Sequence, residues 1–133
     1  MKRFLLLCGL VVASTTYVHA QHESAPPLDV AAPVSVSDFD SKVKELNKQL
    51  GKGDATAANK TFADIDQMVH AELKVVRYKM RDAANKEEVV KYSELTQKQR
   101  LLFATILKLK NENIVGNKTE IVSKLNQLSE LFI

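Results

Sequence analysis

The sequence predicts an all-α fold, an antiparallel bundle built on a long helical hairpin (about 54–84 and 87–110) with two short flanking helices (about 37–50 and 118–132). Three observations predict it. No proline follows Pro33, and the chain beyond it is rich in Lys, Glu, Leu and Ala, residues that lose little freedom in a helix. Apolar residues recur three and four apart, the spacing of one helical face, and alternating β-branched runs are few. Turn signals divide the chain where that spacing breaks.

The chain opens Met1-Lys2-Arg3, continues "FLLLCGLVVA", and reaches Val18-His19-Ala20 after a polar stretch. A basic start, a short apolar run and small residues before a cut site describe a secretory signal peptide, residues 1–20, cleaved after Ala20. A membrane anchor needs roughly 20 apolar residues, and this run breaks at Ser14-Thr15-Thr16. The expected compartment is periplasmic or extracellular. Cleavage would remove Cys8, the only cysteine, and with it any disulfide, thiol nucleophile or thiolate metal site. Residues 21–36, "QHESAPPLDVAAPVSV", hold all three prolines and read as a flexible tether. Residues 37–133 are the single helical domain.

The first helix is expected to start at Ser37 and to bury Phe39, Val43, Leu46 and Leu50 before Gly51 and Gly53 stop it. Asp54 caps the second, whose stripe is Phe62, Ile65, Val69, Leu73, Val76 and Met80. A tight turn at Asn85-Lys86 leads to the third, with Val90, Leu95, Leu102, Ile106 and Leu109 facing inward. "NENIVGN" breaks the pattern, and Asn117 or Thr119 starts the last helix, with Ile121, Leu125, Leu128 and Phe132 inside. Short connections make neighbours antiparallel, so both short helices fall at the open end of the hairpin. The turn end, around residues 75–95, then projects as two helices alone. Val76, Met80, Val89 and Val90 there would invite a partner or a second copy.

The precursor carries 19 basic and 16 acidic residues, formally +3; loss of Lys2 and Arg3 leaves 17 against 16. So small a net charge makes no case for nucleic acid as partner. Nor does the chain hold a Cys-His pairing, a G-x-S-x-G, an H-E-x-x-H or a glycine-rich phosphate loop. The chain is therefore expected not to be an enzyme, and to use no cofactor and no metal. Asp66, His70 and Lys74, spaced by four, read as a solvated charged row rather than a ligand set, since a usable site needs a third protein ligand that no motif supplies. Met68 and Met80 read as core filler. Both Asn-x-Thr sequons, at Asn59 and Asn117, read as coincidence, and Leu131-Phe132-Ile133 as the buried last turn. Lys74, Arg77, Tyr78 and Arg81 form a basic strip on the projecting hairpin, the candidate surface for a protein partner. Its competitor is internal pairing, with Arg77 near Glu94 and Arg81 near Glu88 across the turn.

"SELTQKQRLLF" (93–103) contains Leu95-Thr96-x-x-Gln99, and this resembles the LTxxQ motif of the Spy/CpxP family of periplasmic helical chaperones. Arg100 and the apolar run after it extend the likeness. The family carries two copies of the motif and this chain one. The resemblance implies ATP-independent binding of unfolded polypeptides on the concave face of a helical dimer. Thr96 with Gln99 also spells a capping box that any helix start could use. The stripe from Val90 through Leu95 to Leu102 meets no Gly or Pro, so the third helix is expected to run through. The function expected is a structural or protein-interaction role in the cell envelope; the alternative is the chaperone.

Overall fold

The computed structural model describes residues 33–133, so the expected signal peptide (residues 1–20) and most of the expected tether lie outside the described residues. Within them the chain forms four α-helices and no strand: α1 (Val36–Gly51), α2 (Ala55–Arg81), α3 (Lys86–Asn113) and α4 (Lys118–Glu130). Helix α1 packs on α2 and α4, and α3 packs on the same two, which closes a ring of four. The common core contains Phe39, Val43, Leu46 and Leu50 of α1 and Ala58, Phe62, Ile65 and Val69 of α2. Phe103 and Ile106 of α3, Ile114, and Ile121, Leu125 and Leu128 of α4 complete it.

Local chemistry sets each boundary. Ser35, not Ser37, caps α1: its Oγ accepts from the Asp38 N–H at 3.3 Å. Gly53 takes φ +70°, a left-handed turn that a side chain would oppose, and delivers Asp54 to cap α2 by accepting from the Ala57 N–H at 3.1 Å. At the hairpin turn Asn85 Oδ1 accepts from the Glu88 N–H at 2.9 Å, while Glu88 Oε2 reaches back to the Ala84 N–H at 3.0 Å. This reciprocal pair is the helix start that Thr96 and Gln99 only imitate, and α3 runs unbroken through both. Asn85→Ala should lower the unfolding free energy by about 1 kcal/mol, a fall of roughly 4–8 °C in the melting midpoint of a domain this size. Thermal unfolding followed by circular dichroism checks it. At the far end Asn117 makes no cap to its own helix; its Nδ2 donates to the Leu109 carbonyl at 2.9 Å and closes α3.

The inward face of α3 departs from expectation. Ile106 is buried, Leu95, Leu102 and Leu109 are half-buried, and Val90 is 54% exposed. A helix turns about 100° per residue, so Val90 lies well over a quarter-turn from Leu95 and Leu102 and faces outward. The residues that bury most fully on α3 are Gln99, Phe103 and Ile106. Phe103 stacks parallel to Phe62 at 6.2 Å between ring centres.

Candidate interaction surface

The four-helix core ends at a polar layer. Glu72 of α2 and Gln99 of α3 are each 1% exposed. Gln99 Nε2 donates to Glu72 Oε2 at 3.1 Å and to the Leu131 carbonyl at 3.1 Å. Glu72 Oε2 also accepts from the Ile133 N–H at 3.0 Å. Glu72 Oε1 and Gln99 Oε1, both buried, have no donor among the described residues. Burial pushes the Glu72 carboxyl above its ordinary 4.5, against the smaller opposing pull of the Ile133 N–H and the Gln99 amide. The layer fastens the last residues of the chain, as does the Phe132 ring, 4.6 Å from that of Phe39. Ser129 Oγ completes the clasp by donating to Asp40 Oδ1 at 2.7 Å. Neither partner was named as a core residue from the sequence, although the signal is there: Glu72 falls three after Val69 and four before Val76, and Gln99 four after Leu95 and four before Phe103, at core spacing.

Beyond this layer, among the described helices, only α2 and α3 continue, by about 15 Å at the helical rise. This stretch carries the basic strip. Lys74, Arg77, Tyr78 and Arg81 share one side of α2 at spacings of three and four. The Arg81 guanidinium lies 4.6 Å from the Tyr78 ring centre and Lys74 Nζ 6.0 Å from it.

The expected cross-hairpin pairs do not form. Arg81 instead grips its neighbour Asp82, Nε to Oδ1 at 3.0 Å and Nη2 to Oδ2 at 3.2 Å. These hydrogen bonds raise the Arg81 pKa and lower that of Asp82. Glu88 is occupied by the turn, and Glu94 sits beside Val90 on the outer face of α3, turned from α2. Arg77 is exposed and has no acidic partner among the described residues. Val76 and Met80, expected to be left for a partner, are buried and half-buried, while Val89 and Val90 are exposed.

His70 Nδ1 lies 2.8 Å from the Asp66 carbonyl oxygen and 3.3 Å from its Oδ1, on an exposed side of α2. Among the described residues no three His, Cys, Asp or Glu side chains are grouped to hold a metal ion, and no helix is long and apolar enough to cross a membrane. In the LTxxQ stretch Leu95 and Thr96 are half-buried and Gln99 is spent on the polar layer. A further feature was missed. Leu101 is 73% exposed beside an open groove of about 510 Å³ between α3 and α4, walled by Leu102, Leu131, Lys98 and Glu130. The doublet Leu101-Leu102 signals it, because neighbours about 100° apart cannot both face one core. No protein-family model, curated protein or solved structure matches the chain.

Proposed function

We propose that this is an exported, non-catalytic protein-interaction module of the cell envelope, which uses its projecting hairpin to engage an acidic segment of another protein. The observation that carries the reading is Arg77, exposed and without an acidic partner among the described residues, beside the Tyr78–Arg81 stack on the part of the hairpin that extends past the four-helix core. Arg and Tyr together are the side chains that most often dominate protein interfaces, the one by charge and forked donors, the other by rigid area. The core beneath them makes a stiff base. Buried layers of α1, α2, α3 and α4 hold the hairpin root, so the strip does not depend on a loop for its geometry.

Capture from an envelope extract with the full chain as bait, followed by titration of the recovered partner, tests this. Binding should weaken as salt rises, and Arg77→Glu combined with Tyr78→Ala should weaken it about a hundredfold, since each hot-spot loss is worth a factor of ten or more. Equal capture by wild type and variant would overturn the assignment. The chaperone alternative is separated by aggregation of an unrelated denatured protein: the proposal expects no suppression at several-fold molar excess, and strong suppression would favour the alternative.

A further inference from the structure

We propose that a second copy of this chain docks along the outer face of α3, antiparallel and two-fold symmetric about Leu101. This surface lies on the opposite side of α3 from its buried face, and the proposal stands independently of the hairpin strip. Val90, Glu94, Gln97, Leu101, Ala104 and Lys108 follow one another at spacings of four, three, four, three and four, and all six are exposed. Such a heptad run forms a straight seam, the pattern by which two helices lie side by side. About half a turn away on the same helix are Gln99, Phe103 and Ile106, which belong to the bundle. The seam is therefore unpartnered within the described residues.

Two features specify the occupant. Leu101 projects into solvent at 73% exposure on the edge of the groove walled by Leu102 and Leu131. A knob beside a hole on one patch fits itself: a two-fold axis between them places each Leu101 in the other copy's groove. Charge agrees with this register. In an antiparallel pair centred on Leu101, the residue seven before it meets the residue seven after it in the partner. Those residues are Glu94 and Lys108, so the contact brings together two opposite-charge pairs and no like-charge pair. A foreign partner would have no reason to find Glu94 and Lys108 equidistant from the leucine. The seam from Val90 to Lys108 is one strip about 27 Å long and roughly 10 Å wide, the length and width of a single helix face, so its area falls well short of a standard interface of roughly 800 Å² per partner. Association should accordingly be weak and concentration-dependent.

Sedimentation equilibrium of the full chain up to about 1 mM, the range that weak self-association requires, tests this. Wild type should pass from monomer to dimer with concentration. Leu101→Glu, at a site too exposed to affect folding, should weaken the dimer about a hundredfold or more, because two leucines leave the interface at once. Glu94→Lys alone and Lys108→Glu alone should each weaken it about tenfold by setting like charges face to face. The double variant E94K/K108E should restore the wild-type constant. A monomer throughout, a dimer untouched by Leu101→Glu, or a double variant no better than the singles would each overturn the proposal.

Discussion

Phe39→Ala lowers the unfolding free energy by about 3–5 kcal/mol, the range for emptying a fully buried aromatic site. The ring is 0% exposed and packs at 47° against Phe132, where the first turn of α1 meets the end of α4. Two contributions add there. The hole cannot close, because the remaining core of α1, α2 and α4 is already held on every side. Phe132 also loses its neighbour, and with it goes part of the hold on the residues that supply the Leu131 carbonyl and the Ile133 N–H to the polar layer. A domain this size is stable by roughly 5–15 kcal/mol in all, so the variant should be marginal. Urea unfolding should show a lower midpoint with an unchanged slope. A loss below about 1 kcal/mol, the centre of the range for ordinary substitutions, would mean that the ring is not packed as described.

Glu72→Gln works in the opposite direction, raising stability at neutral pH by about 1–3 kcal/mol, the usual cost of leaving a buried polar group unsatisfied. The carboxamide keeps a carbonyl oxygen for the Ile133 N–H and the Gln99 amide, and its own N–H₂ offers a donor toward the orphaned Gln99 Oε1. It also removes a carboxylate from a site where burial opposes charge. The sign of the pH dependence follows from the raised pKa. Between the unfolded value near 4.5 and the higher folded value, the folded chain binds the proton more readily. Stability from this group is therefore complete below the unfolded value and is lost as pH rises through the folded one. Urea midpoints of wild type should fall relative to Glu72→Gln across that window, and the two curves should run parallel elsewhere. Wild type gaining on the variant as pH rises would contradict the assignment of Glu72 to a desolvated site.

The four-residue stretch from Asn85 to Glu88 shows how a local motif is read correctly only in context. Asn85-x-x-Glu88 and Thr96-x-x-Gln99 are both capping-box patterns. Asn85 lies where two apolar periodicities meet, and its oxygen serves a free N–H. Thr96 lies inside a continuous ladder whose N–H groups are already bonded, so it has nothing to cap. Likewise the Arg77–Glu94 and Arg81–Glu88 pairs followed from charge and approximate register alone. A rotation of α3 that turns Glu94 outward, and a shorter reach to Asp82 next door, removed both.

Sequence alone determined the class, the four helices and their order. Those depend on propensity, spacing and turn residues that act within a few positions along the chain, and every α1 and α4 core residue named from spacing is buried except Phe132, which is half-buried. What only the tertiary structure decided is which side of α3 faces in, that Glu72 and Gln99 meet across 27 positions, and that the chain's last residues close over them. Helix α3 carries apolar side chains around much of its circumference, from Val89 and Val90 to Leu101, Leu102, Leu107 and Leu109, so its own periodicity names no single inward face. The packing of α2 and α4 against it chose one, left Leu101 exposed on the other, and so decided both where the core is sealed and which edge is open to the proposed second copy.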